Sequence, residues 1–202
     1  MRHLASPMTS SHLSIFNNDQ VQPNAIDLKV DQILRIKRDT HFILDEDKKQ
    51  HRGSDPVHLD SEGYWLLEPG AYEILMEGQV TMGPDEAGWL VTRSTLNRNG
   101  IFITSGLYDS GYKGVMAAAL HVTSGPAMIR RGTRVGQFLL FKSEALNQYD
   151  GDYGTGKADD VLYKLTPEQL VDSSGAPVDV QQELDLKIEP GPRIDRLFKR
   201  FK

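Results

Sequence analysis

Between residues 26 and 142 the chain alternates short apolar runs of β type with turns made of glycine, proline and asparagine, and this rhythm leaves few folds open. "AIDLKVDQILRIK" puts Ile26, Leu28 and Val30 in period two and continues with Ile33, Leu34 and Ile36. "HFIL", "YWLLEPGAYEILM", "GWLVT", "GIFIT", "GVMAAALHV" and "RVGQFLLF" follow at intervals suited to an antiparallel sandwich or barrel. "EPG", "GPDEAG", "RNG" and "SGPA" lie between them and read as turns, because Gly, Pro and Asn supply the backbone angles that turns need. The polar stretch from Asp45 to Glu62, with His51 and His58, reads as an inserted loop. The body of the chain is all-β, without an internal repeat.

The ends differ from this body. Residues 1–20 are rich in Ser, His and Asn and read as a flexible N-terminal arm, leaving a β domain over 21–156. The C-terminal extension, 157–202, contains "LTPEQLVDSSGAP", a short helix beginning at Thr166. It closes with Ile194, Leu197, Phe198 and Phe201 at i, i+3, i+4 and i+7. Arg193, Arg196, Lys199 and Arg200 take the opposite face, giving an amphipathic basic helix over 193–201. Such a helix either packs on its own domain or docks on a partner protein.

With 202 residues the chain is long enough for one full core. It contains no cysteine, so disulfides, thiolate nucleophiles and cysteine-bearing zinc sites are excluded. A net charge of −5 gives no sign of a nucleic-acid polymer or a membrane as partner. The first residues lack the long apolar run of a signal peptide or a spanning helix, and a cytoplasmic protein is expected.

Four stretches carry residue types with chemistry. In "QPNAIDL", Asp27 interrupts an apolar strand, either facing solvent at a strand end or supporting a site. In "TRSTLNRNG", Arg93, Ser94 and Arg98 surround a turn that is either solvated or built to hold phosphate oxygens. "GLYDSGYKG" sets Asp109 among Gly106, Gly111 and Gly114, with Tyr112 close behind. In "RRGTRVGQFLLF", Gln137 breaks a run that otherwise reads as buried, bonding either backbone or a ligand.

In order and spacing, "QPNAIDLKV", "RSTLNRNGI", "GLYDSGYKG" and "GTRVGQFLLF" resemble the four successive motifs of the trimeric dUTPase and dCTP deaminase superfamily. "YDGDYGTG", with Tyr149 and Tyr153, is similar to the tail motif of the deaminase branch. The resemblance covers about residues 20–156. It implies a distorted jelly roll or β-barrel of the β-clip type, a homotrimer with sites between subunits, and a deoxynucleoside triphosphate as substrate. By the same resemblance Asp109 contacts the sugar 3′-hydroxyl and activates the attacking water, while Tyr112 lies under the sugar. Gly111 and Gly114 let the hairpin backbone come close to the substrate, which Gly106 also contacts. Arg93, Ser94, Arg98 and Gln137 grip the phosphates, with Tyr149 and Tyr153 on the tail. Magnesium arrives with the phosphates and has no direct protein ligand, Asp27 supporting it indirectly; zinc is not expected.

Deaminases of this superfamily carry a glutamate in the strand after the third motif, and at that position this chain has Ala119. Alanine moves no proton. His121 lies on the same strand face. The implied reaction is hydrolysis of dUTP or a related dNTP to the monophosphate and pyrophosphate. The alternatives are a dCTP deaminase, including the bifunctional dUMP-forming kind, and a non-catalytic trimeric binding or structural module.

Overall fold

The structure, a computed structural model, describes residues 1–46, 49–151 and 153, all within one compact unit. In chain order the strands are β1 (His12–Leu13), β2 (Ile26–Ile36), β3 (Ile43–Leu44), β4 (Lys49–Gln50), β5 (Ser54–Pro56) and β6 (Tyr64–Leu67). They continue with β7 (Gly70–Thr81), β8 (Glu86–Thr92), β9 (Ile101–Tyr108), β10 (Lys113–Val122), β11 (Ala127–Arg130) and β12 (Arg134–Lys142). A single helical turn, α1 (Ser94–Asn97), lies between β8 and β9.

Strands β7, β10, β9, β8, β12 and β2 are paired in that order, and β2 also pairs with β7, so six antiparallel strands close a barrel. Closure leaves the central strands without free edges. Inward side chains fill the interior: Ile26, Val30, Ile74, Met116, Leu120 and Phe138 are all buried. Each such residue contributes about 1.5–3 kcal/mol relative to exposure.

The change of period inside "AIDLKVDQILRIK" has a local cause. Val30 faces Met76 and Gln32 faces Leu75, so Asp31 is an extra, bulged residue. The bulge resets the alternation, and both Ile33 and Leu34 are then buried. Asp31 points outward to an ion pair with Arg131 at 2.6 Å.

Two expectations are corrected. The arm over 1–20 is docked on the barrel: Leu4, Ser11 and Leu13 are buried, β1 pairs with β7, and Arg2 bridges to Leu140. Its serines, which suggested solvent, are hydrogen-bonded to a buried acid described below. The stretch from Asp45 to Glu62 is more than a loop, since β4 pairs with β3 and β5 adds to the end of β2. The turn expected at "SGPA" is present, and its last residue, Ala127, begins β11, a strand that the sequence reading did not separate and that pairs with β6. The tail beyond Tyr153, the extension 157–202 and the helix at 193–201 lie outside the described residues.

Candidate functional site

The β9–β10 connection is a four-residue turn in which the Tyr112 amide donates to the Asp109 carbonyl at 3.0 Å. Gly111 at its third position has φ +84°, the left-handed geometry that a type II turn requires there. A Cβ on Gly111 would stand 3.2 Å from Gln148 Cβ and 3.4 Å from the Tyr149 amide, a close fit that adds to the demand of the backbone angle. Asp109 is exposed and lines a cavity of about 340 Å³, closed by Ser110, Ala87 and residues 143–149. Among the described residues its carboxylate makes no hydrogen bond or ion pair, leaving both oxygens for a ligand or water.

Behind this turn stands a wall of three tyrosines. Tyr112 is 6% exposed, donates its hydroxyl to the Val115 carbonyl at 2.7 Å, and lies 5.3 Å from the rings of both Tyr108 and Tyr149. Tyr112 is thus a core side chain of the hairpin, with its ring contacts made by protein. Burial, with Tyr112 alongside, pushes the Tyr108 phenol well above its ordinary range, so it remains a neutral donor to the Ala117 carbonyl. Tyr149 is tied to the turn through its amide, which donates to the Ser110 carbonyl at 2.7 Å. Tyr153 is half exposed and meets His51 edge-on, with the Lys49 ammonium 4.2 Å from its ring centre. At Gly106 a Cβ would meet nothing within 4 Å, so the chain's own packing does not demand this glycine.

A second group forms where β2, β12 and the end of β8 meet. Asp27 is completely buried and faces Gln137 in register, whose amide donates to its Oδ1 at 3.0 Å. Arg93 Nε lies 3.2 Å and Arg134 Nη1 3.8 Å from Oδ2, an oxygen that is buried and takes no aligned hydrogen bond. Arg93 also donates to the Arg134 carbonyl at 3.0 Å. Two guanidinium groups against one carboxylate leave an excess positive charge at the surface, suited to an anion. Ser94 opens α1 and Arg98 caps it, both exposed beside this group. The expected turn at "RSTLNR" is therefore one turn of helix.

A single protomer does not bring the two groups together. Asp109 follows Tyr108, which pairs with Gly88 near the start of β8, whereas Arg93 follows the end of β8. At about 3.3 Å per residue the ends of this strand are roughly 20 Å apart. Ala119 faces Thr104 across the β9–β10 ladder, and His121 Nε2 lies 3.1 Å from Thr104 Oγ1, so the histidine is engaged within the sheet.

Sequence reading missed Glu86, Ser110 and Arg134. Glu86 was hidden inside "GPDEAG", which reads as a turn; in fact it opens β8 and is fully buried. Burial pushes its carboxyl upward, but hydrogen bonds from Ser11 and Arg2, joined by Ser10, outweigh this and hold its pKa at about 2. Arg134 was visible within "GTRVGQ", three residues before Gln137, but plain alternation would put the two on opposite faces; the register shift between Arg134 and Gly136 brings both to Asp27.

The dCTP deaminase-like family pattern matches residues 3–143. A probable deoxyuridine 5′-triphosphate nucleotidohydrolase of Methanopyrus kandleri is 31% identical over 143 residues, covering 68% of this chain and 90% of that protein. A dUMP-forming dCTP deaminase of Salinispora arenicola is 27% identical over 157 residues, 73% of this chain and 81% of that one. The solved 2′-deoxycytidine 5′-triphosphate deaminase from Agrobacterium tumefaciens overlaps with a TM-score of 0.48 and 18% identity, over 64% of this chain and 42% of that one. With its motifs set along a six-stranded barrel and the match running through β1 to β12, the chain belongs to the dCTP deaminase-like family.

Proposed function

We propose that the protein hydrolyses dUTP, or a closely related deoxynucleoside triphosphate, to the monophosphate and pyrophosphate. One observation carries this choice within the family: an exposed carboxylate, Asp109, lines a cavity on a hydrogen-bonded turn, while the following strand has no proton-transfer group at Ala119. Hydrolysis needs a positioned water and a base, and Asp109 supplies the base. It accepts a proton from water as the oxygen attacks the α-phosphorus; the α–β anhydride bond breaks and pyrophosphate leaves. The cations Arg93 and Arg98, with Ser94 and Gln137, hold the phosphates and balance the charge that develops.

The separation of Asp109 from Arg93 along β8 exceeds the span from a deoxyribose 3′-hydroxyl to a γ-phosphate. The nucleotide is therefore held between copies, Asp109 from one and Arg93 from the next, and the working unit is a homotrimer. A face for that assembly exists on the barrel exterior: Trp89 and Leu107, 47% and 59% exposed, are paired across β8 and β9. A paired apolar patch of this kind marks an interface. Magnesium travels with the substrate, carried on its phosphates. No described helix is long and apolar enough to cross a membrane, and we place the enzyme in the cytoplasm with its nucleotides.

Incubation with Mg²⁺ and each of dUTP, dCTP, dTTP and UTP, with products separated by anion exchange, tests the reading. Pyrophosphate and dUMP from dUTP, lost in Asp109→Asn, support it. Formation of dUTP or dUMP from dCTP replaces it with the deaminase, a reading that the Salinispora relative favours. No turnover of any nucleotide by an intact trimer replaces it with a binding module.

A further inference from the structure

Three segments of chain converge on the corner that opens β8. Asp85 there has φ +56°, the one left-handed non-glycine among the described residues. Such a conformation persists only where its surroundings enforce it. The residues that enforce it are visible. Ser143, directly after β12, donates its amide to the Asp85 carbonyl at 2.8 Å. The docked arm grips the next residue: Arg2 Nη1 and Ser10 Oγ reach the Glu86 carboxylate at 2.7 and 3.1 Å. Ser11 adds its amide at 2.7 Å and its hydroxyl at 2.6 Å. Ser11 Oγ also accepts the Gly83 amide at 2.8 Å.

The third segment is the Asp109 turn itself. Ser110 is 3% exposed, and its hydroxyl donates to the Glu86 carbonyl at 2.8 Å. Ser110 and Ala87 line the same cavity as Asp109. A fully buried carboxylate with four donors is a poor way to gain stability, since an apolar group of the same shape does as well. It is a good way to fix a position, because charge-assisted hydrogen bonds are directional. Here the fixed object is one residue of backbone, and the turn carrying Asp109 hangs from its carbonyl.

We infer that Glu86 and Ser110 are positioning residues: the arm clamps the Glu86 corner, and through the Ser110 hydroxyl that corner sets where the Asp109 carboxylate stands in the cavity. The inference rests on the proposed hydrolase reading for its consequence in rate, but not for its structural content. Neither Glu86 nor the Ser110 hydroxyl touches the reacting atoms in this arrangement. Their removal therefore slows chemistry more than it weakens substrate binding.

Ser110→Ala and Glu86→Gln test this in the full chain, singly and combined. In hydrogen exchange, the Tyr112 amide, bonded to the Asp109 carbonyl, and the Tyr149 amide, bonded to the Ser110 carbonyl, lose protection in both variants while the barrel strands keep theirs. In steady-state kinetics with Mg²⁺–dUTP, kcat falls about tenfold in Ser110→Ala, one hydrogen bond's worth of alignment, with KM little changed. The double variant is no slower than the worse single one, because both act on one link. Unchanged protection of the Tyr112 and Tyr149 amides in Ser110→Ala, which removes one oxygen and leaves the core intact, overturns the inference. So does a kcat that stays at the wild-type value. If the wild-type chain turns over no nucleotide, the hydrolase reading fails, and the exchange measurement still decides the inference.

Discussion

Gln137 and Asp27 face each other on one rung of the β2–β12 ladder, and the Gln137 amide donates to Asp27 Oδ1 across 3.0 Å. The other carboxylate oxygen is buried without a hydrogen bond and has Arg93 Nε at 3.2 Å. Asp27 thereby aims the guanidinium instead of competing for substrate. Asp27→Ala strands Arg93 and Arg134 against a cavity, and we expect a loss of about 3 kcal/mol, the range for a broken buried ion pair. Urea unfolding measures this loss, and KM for the nucleotide rises in whatever protein remains folded.

That rung explains why the site was partly legible in the sequence. Asp27 and Gln137 are polar residues inside runs that otherwise bury, and the cost of burying an unpartnered polar group requires that each have a partner. Their being partners of each other is a matter of strand register, which no local pattern carries. The barrel strands were readable as short apolar runs between turns, but their bulges were not: the register shifts at Asp31 in β2, between Val115 and Ala117 in β10 and between Arg134 and Gly136 in β12 each break the alternation. The arm was misread for the same reason as Glu86. Ser10, Ser11 and Arg2 look solvated, and "GPDEAG" looks like a turn, until tertiary contact pairs the one with the other. Tyr112 was read as a platform under the sugar, whereas its burial between Tyr108 and Tyr149 depends on contact with residue 149, beyond the end of β12, which no local pattern carries.

Asp109 is exposed and unpaired among the described residues, so its charge contributes little to folding. Asp109→Asn is expected to keep the melting temperature of the wild type and lose about a thousandfold in kcat, within the range for removal of a general base. Calorimetry beside a pyrophosphate assay reads both. A fall in stability of the same variant would show that the carboxylate serves the turn and not the reaction.

Glu86 predicts how stability depends on pH. Its carboxyl is held at about 2, below the ordinary 4.5, so the folded chain binds that proton less readily than the unfolded chain. Its contribution is fully present above pH 4.5 and is lost as pH falls through about 2. The loss is on the order of 3 kcal/mol at most. Glu86→Gln removes this dependence, and the difference between the two acid-unfolding curves isolates it.

Leu107 is 59% exposed beside Trp89 on the outer face of β8 and β9. Leu107→Asp replaces a surface side chain, so the protomer's own stability moves by no more than about 0.5 kcal/mol. If the proposed trimer assembles across that face, the new charge is left unpaired, and sedimentation equilibrium should show dissociation to monomers together with loss of turnover. A variant that remains trimeric moves the interface to another face of the barrel.

The separation of Asp109 from Arg93 by the length of β8 gives the most direct test of a site shared between copies. Asp109→Asn and Arg93→Ala should each be inactive, the first for want of a base and the second for want of a phosphate cation. If one site takes Asp109 from one protomer and Arg93 from the next, a mixed trimer contains sites in which both residues are wild type. After unfolding and refolding together at equal amounts, each contributor is intact half of the time, so about a quarter of the sites recover. A site built within one protomer recovers nothing under any mixture, because each chain carries its own defect. Activity regained on mixing therefore assigns the two residues to different chains, and continued silence returns them to one.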